Sequence, residues 1–172
     1  MIRSINLFLL IFIYSILFGQ SDKLRFAHYS VEQGLSSRNI NAIRQDKQGF
    51  IWIATDKGLD RFDGYYFKSY KLNNKDSDNL LILCLLEDRS EHFFIGTSKG
   101  LYLFDRKAES FTNYKHDANN KNSLSNNSVS AVFEDSKGRI WVGTYDGLDL
   151  FDPKNGSFIH FSFNNTGKSK VE

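Results

Sequence analysis

One passage of this chain is written three times. "GFIWIATDKGLDRFDG" fills residues 49–64, "EHFFIGTSKGLYLFD" residues 91–105, and "GRIWVGTYDGLDLFD" residues 138–152. Aligned on their Gly-Leu pairs, Gly58, Gly100 and Gly147 stand 100 − 58 = 42 and 147 − 100 = 47 residues apart. The same two spacings relate Asp46, Asp88 and Asp135, and also Thr55, Thr97 and Thr144. Phe62, Phe104 and Phe151 follow the same rule, each with an aspartate behind it. The extra five residues fall in "NYKHDANNKNSLSNNS", residues 113–128, a polar stretch that reads as a loop carrying an insertion.

Each copy divides into four short strands. In the first they are "INAIRQ" (40–45), "FIWIAT" (50–55), "LDRF" (59–62) and "YYFKSY" (65–70). Between them lie "DKQG", "DKG", where Gly58 supplies a positive φ, and the hairpin pair Asp63-Gly64. The third copy parses in the same way. The middle copy departs: Glu91 stands where Gly49 and Gly138 mark the first turn, and Phe94 replaces Trp52 and Trp141. "NLLILCLLED" alone fits a buried helix, but Ile82, Cys84 and Leu85 align with Ile40, Ala42 and Ile43 and with Val129, Ala131 and Val132. That register makes it a strand, apolar on both faces. A four-stranded unit of this kind cannot bury both faces alone, so such units stack around an axis, and a period in the low forties is that of β-propeller blades. The expected fold is all-β: three consecutive four-stranded antiparallel blades of an incomplete ring. Blade 1 covers 35–76, blade 2 covers 77–123 and blade 3 covers 124–170; a fourth opens at 124 + 47 = 171 and occupies 171–172.

The first twenty residues read differently. "MIRSINLFLLIFIYSILFGQ" carries Arg3, then an apolar run from Leu7 to Phe18, then small residues and a polar start, the layout of a secretory signal peptide over 1–20. The run is short of the roughly 20 residues that span a bilayer. The expected location is the periplasm. Beyond this segment 22 − 1 = 21 basic residues face 20 acidic ones, so charge favours neither nucleic acid nor an anionic membrane. The single cysteine, Cys84, permits no internal disulfide and reads as a buried, inert thiol.

Chemistry is sparse. Asp46, Asp88 and Asp135 each open a hairpin turn, where aspartate caps its own backbone, and calcium loops need more oxygen ligands close in sequence than these turns hold. Thr55, Thr97 and Thr144 precede turns and bond within the blade. Together with Trp52, Trp141, Gly58, Gly100 and Gly147, these repeated residues are structural. His28, His92, His116 and His160 fall at unrelated repeat positions, so repetition builds no metal site, and no Ser-His-Asp or paired-carboxylate constellation can be placed. No enzyme activity, metal or cofactor is expected of these residues. Positions that differ between blades are the ones free to recognise something. The turn between the second and third strands shares a face with the link entering the next blade. That face gathers Arg38, Asn39, Asp56, Lys57, Ser98, Lys99, Tyr145 and Asp146, with Asn126 and Asn127. Planar polar groups beside an aromatic suit a hydroxyl-rich ligand.

The pattern "GLSSRNINAIRQDKQGFIWIATDKGLDRFDG" resembles the two-component regulator propeller repeat, and "LRFAHYSVEQGLSS" is similar to that family's opening. The resemblance covers residues 35 to about 161. It implies the periplasmic sensor region of a hybrid histidine kinase, in which two propellers, a β-sandwich, a membrane helix and a kinase core follow one another. It implies an oligosaccharide ligand, a phosphorelay ending in transcription, homodimerisation of the full sensor, and the remaining blades as partners in the same polypeptide. It implies also that a strand within 21–34 closes the last blade. A protein-binding scaffold without kinase and a propeller lyase are the other readings.

Overall fold

The structure, a computed structural model, describes residues 25–72, 80–163 and 169–171. The export segment expected at 1–20 lies outside them. Three antiparallel sheets carry the fold. The first runs in chain order through β1 (Ile40–Gln45), β2 (Ile51–Thr55), β3 (Gly58–Phe62) and β4 (Phe67–Tyr70). The second runs through β5 (Ile82–Glu87), β6 (Phe93–Thr97), β7 (Gly100–Asp105) and β8 (Ser110–Tyr114). The third runs through β9 (Val129–Glu134), β10 (Ile140–Thr144), β11 (Gly147–Asp152) and β12 (Ser157–Phe163). There is no α-helix among the described residues; a single 3-10 turn covers Val31–Gln33. The first strands β1, β5 and β9 adjoin one another, so the sheets are propeller blades with their first strands innermost.

"NLLILCLL" is strand, as its register requires. Each innermost strand also carries an irregularity at the same repeat position, between Ile40 and Ala42, Ile82 and Cys84, and Val129 and Ala131. The bulged residues Asn41, Leu83 and Ser130 share no side-chain type, so nothing in composition marks them. The outer hairpin of the first blade is longer than the Asp63-Gly64 pair suggests. Asp63 Oδ1 accepts the N–H groups of Tyr65 (2.8 Å) and Tyr66 (2.7 Å), which holds both tyrosines in the turn and delays β4 to Phe67.

Two apolar layers hold the blades together. Between the first and second, Trp52 meets Phe93 at 4.8 Å and Phe104 at 5.4 Å between ring centroids, with Leu59, Tyr70, Ile82 and Ile95 buried around them. Between the second and third, Phe94, Leu101, Leu124, Val129, Ile140, Val142, Phe151 and Phe158 pack together. Gly96 is required here. A Cβ on it would lie 2.4 Å from Cys84 Sγ and 2.8 Å from Val129 Cγ1. Burial pushes the Cys84 thiol up to about 11, so it is a packing group.

Polar staples repeat at the opposite rim. Glu87 Oε2 accepts the N–H of Lys47 (2.7 Å) across the first blade junction, and Glu134 Oε2 accepts the N–H of Arg89 (2.9 Å) across the second. Arg106 adds a bridge from Asp46 (2.7 Å) to Glu87 (2.6 Å).

The two ends differ from the simple parse. Residues 25–30 form no strand, and Tyr29 packs on Phe62 at 4.9 Å, covering part of the first blade's free face. Ser169–Val171, which ends at position 171 where the fourth blade is expected to open, pairs antiparallel with β12 as β13, a fifth strand. The edge of an outermost strand offers unpaired backbone groups that a following segment can satisfy.

Candidate functional site

The loop face is built by one backbone contact, made three times. The first residue of each turn between second and third strands donates its N–H to the link entering that blade: Asp56 to Asn39 (3.3 Å), Ser98 to Leu81 (2.9 Å), Tyr145 to Ser128 (3.1 Å). Links and turns therefore share a face in all three blades. Asn39 Nδ2 donates to Asp56 Oδ2 at 2.8 Å, and Asn126 Nδ2 to Asp146 Oδ2 at 2.8 Å. These two clasps come from non-equivalent repeat positions, so the blades reach the same pairing by different residues. Hydrogen bonds from Ser37 and Asn39 hold the Asp56 carboxyl below the ordinary range. In the middle blade Ser98 Oγ accepts the N–H of Leu81 at 3.1 Å.

The pairing changes what the face offers. The carboxylates of Asp56 and Asp146 are engaged with amides of their own links, whereas Arg38 and Lys57 are exposed and Tyr145 is 85% exposed. The eight expected residues sit in per-blade groups rather than around one cavity. Arg38 lines an open hollow of about 400 Å³ with His28, Tyr29 and Glu32. A larger one, about 660 Å³, lies against the link into the third blade, where His116, Asp117, Asn120 and Lys121 line it.

Beneath the face runs a buried polar network whose aspartates and serines lie outside the residues shared by all three copies. Asp60, fully buried, accepts the N–H of Ser36 (2.8 Å) and its hydroxyl (2.7 Å), while Ser36 Oγ meets Thr55 Oγ1 at 2.8 Å. In the third blade Asp149, also fully buried, accepts the N–H of Ser125 (2.9 Å), and Ser125 Oγ meets Thr144 Oγ1 at 2.8 Å. The signal was the shared "GLD" of β3 and β11 together with Leu35-Ser36 and Leu124-Ser125, which are 124 − 35 = 89 residues apart, or 42 + 47. In the middle blade Tyr102 occupies the aspartate position. Each threonine also accepts the N–H two residues on or donates to the carbonyl closing its turn, as Thr55 does to Lys57 and Gly58.

The repeated aspartates cap their turns. Asp46 Oδ1 accepts the N–H groups of Gln48 (3.0 Å) and Phe50 (2.9 Å), and its Oδ2 accepts Trp52 Nε1 (2.7 Å). Asp135 repeats this with Lys137, Arg139 and Trp141. In the middle blade, where the Phe94 ring has no N–H to give, His92 Nδ1 stands 2.8 Å from Asp88 Oδ2 instead.

His160 Nδ1 lies 2.9 Å from Asp149 Oδ1, and its Nε2 donates to the Lys121 carbonyl at 2.8 Å. Serine, aspartate and histidine are thus neighbours, but the carboxylate sits between the other two. The Ser125 hydroxyl bonds to Thr144 and the imidazole to Asp149 and the Lys121 carbonyl, so no base is hydrogen-bonded to that nucleophile. Among the described residues no group of histidine, cysteine, aspartate and glutamate could hold a metal.

The fold and this face define a stretch of β-propeller whose varied loops crown a repeated frame. Residues 34–57 and 123–146 match the two component regulator propeller family. The matched segments are the first and third copies in the register found above; the middle copy is the one with Glu91, Phe94 and Tyr102. The chain is 31% identical to the extracellular domain of BT3049 from B. thetaiotaomicron, a protein assigned as a hybrid two component system. That likeness covers 79% of this chain and 20% of the other, with a TM-score of 0.71. It is 37% identical over 62 residues to histidine kinase P4 of Formosa agariphila, covering 36% of this chain and 4% of the kinase. PorZ, a surface component of the type-IX secretion system of Porphyromonas gingivalis, shares the fold at 16% identity and a TM-score of 0.56, over 89% of this chain and 25% of PorZ. The chain spans about a fifth of the BT3049 domain's length.

Proposed function

We propose that this chain belongs to the exported sensing propeller of a two-component histidine kinase. Its ligand is an oligosaccharide, and binding is relayed by phosphotransfer to transcription. The remaining blades lie in the same polypeptide, and the segment within residues 21–34, which is not a strand over 25–30 in this three-blade stretch, closes the ring by pairing with the last blade. The full sensor works as a homodimer at the inner membrane, with this region in the periplasm. The observation that carries the reading is the division of labour within each blade. The interior repeats, while the loop face that rests on it changes from blade to blade, with Arg38, Lys57 and Tyr145 outermost. The 31% identity to the extracellular domain of a hybrid two component system supports the same reading. Among the described residues no helix is long and apolar enough to cross a membrane.

The test is calorimetric titration of the complete exported region with a panel of oligosaccharides. Where a glycan binds, alanine at Arg38, Lys57, Lys99 or Tyr145 weakens it by about 1–3 kcal/mol each where a polar partner is left unpaired, with the melting temperature unchanged. If all four leave affinity untouched, the ligand sits elsewhere. Binding of a periplasmic protein in place of any glycan would establish the scaffold reading.

A further inference from the structure

The repeat period breaks only once, and the residues added there build a cavity. We propose that the hollow walled by the link into the third blade, residues 115–125, is a subsite for an acidic sugar unit, one bearing a carboxylate or a sulfate ester. This rests on the oligosaccharide reading above and narrows it. The link is held in place before any ligand arrives. Its Asn122 carbonyl accepts the N–H of Phe158 (2.9 Å), and its Lys121 carbonyl accepts His160 Nε2 (2.8 Å). Within the link, Ser123 Oγ accepts the N–H of Asp117 (2.9 Å), and His116 Nδ1 reaches the Leu124 carbonyl (2.8 Å). A pre-ordered loop spares a ligand the cost of ordering it.

Those bonds consume the inward atoms and leave four side-chain atoms at the cavity wall without a partner among the described residues. A carbonyl can only accept, so in the neutral imidazole the proton of His116 sits on Nδ1 and Nε2 is an acceptor. Asp117 spends Oδ1 on the N–H of Asn119 (2.9 Å), which leaves Oδ2 as a second acceptor. Asn120 spends Oδ1 on the N–H of Asn122 (3.0 Å), which leaves its amide NH2 as a donor. The Lys121 ammonium forms no ion pair among the described residues and is the second donor. Two acceptors suit ring hydroxyls; a cation beside an amide NH2 suits an anionic group. A cavity of about 660 Å³ is of ligand size. Among the described residues no phenylalanine, tyrosine or tryptophan lines it, so recognition here is polar and charge-led rather than by stacking on a large ring.

The experiment titrates the complete exported region with disaccharides of gluco and galacto configuration in three forms: uronate, sulfated and neutral. At least one acidic form binds ten-fold or more tightly than its neutral parent. Lys121→Gln removes most of that advantage, and Asn120→Ala part of it, each lowering acidic-sugar affinity by a larger factor than neutral; Lys57→Ala lowers both alike. Both variants lie on the exposed link, and their melting temperatures must match the parent. Should Lys121→Gln lower the melting temperature, salt decides: acidic-sugar affinity of the unaltered protein falls as salt rises and neutral affinity does not. Neutral sugars binding as well as acidic ones, or acidic binding indifferent to Lys121 and salt, overturns the subsite and leaves the oligosaccharide reading standing. Binding of neither kind overturns both.

Discussion

At the residue scale, the middle copy shows what each repeated side chain is for, because it lacks several. Gly49 and Gly138 take φ of 92° and 76° in the first turn, and Glu91 is forced to 67° at the same place. An L-residue pays for that conformation where glycine does not. Glu91→Gly is therefore expected to stabilise the protein by about 0.5–1 kcal/mol, the steric relief less the entropy that glycine loses; a lower denaturation midpoint would refute this. The aspartates carry a pH dependence whose sign is fixed. For Asp46 burial opposes ionisation, yet Trp52 and Arg106 still bring its carboxyl below the ordinary 3.8. The Trp141 N–H, aided by Arg139, holds Asp135 well below it too. A depressed carboxyl contributes stability above its unfolded value and loses it as pH falls through the folded one. The difference in melting temperature between the protein and Asp135→Asn is expected to be full near neutrality and to shrink below about pH 4; a gap independent of pH would show that the carboxylate's charge is irrelevant.

At the scale of the element, the strands were legible and the joints were not. Period and turn residues located the eight strands of the first and third copies to within one or two positions, because a blade strand is decided by apolar register and by the turns flanking it. "NLLILCLL" was settled only by alignment to copies with β-branched partners. The bulges at Asn41, Leu83 and Ser130 left no trace in residue type, since a bulge is a backbone event at the crowded inner rim. The loop face was legible as a face, because links and turns must meet there. Its clasps were not, because Asn39–Asp56 and Asn126–Asp146 arise from different repeat positions. The Ser-Thr-Asp network could have been read from "GLD" and "LS", but two copies out of three make a weaker pattern than three. Gly96 gives a test of how tightly neighbouring elements meet. Gly96→Ala drives a methyl into Cys84 and Val129 and is expected to cost about 1–3 kcal/mol, whereas Gly143→Ala, whose nearest atom would be Ala131 Cβ at 3.4 Å, is expected to cost less. Equal costs in urea denaturation would mean that β6 and β9 separate readily.

At the scale of the molecule, the two free faces are unequal, and that asymmetry is itself predictive. The face of the first blade is partly covered by its own N-terminal segment, where Tyr29 lies against Phe62 and Phe67 and Leu35 is buried. Among the described residues the third blade has no such cover from another segment over Trp141, which is half-buried, or over Ile159, which is 44% exposed; Phe133 on the innermost strand is 62% exposed. In a ring these are the groups a following blade would bury, as Trp52 is buried by Phe93 and Phe104 at the first junction. A contiguous apolar surface of that kind, beside an edge strand, favours association. Residues 21–172 expressed alone are therefore expected to aggregate or to melt broadly, with a midpoint that shifts with concentration. Charge placed on the uncovered face distinguishes this from a generally poor fold. Ile159→Lys is expected to improve the solubility of the isolated stretch and to destabilise a complete ring, where a following blade would bury that position. The reverse change on the covered side, Phe62→Lys, is expected to harm both. A sharp, concentration-independent melt of the isolated monomer would mean that three blades suffice. Equal effects of Ile159→Lys in both contexts would mean that no blade packs on that face.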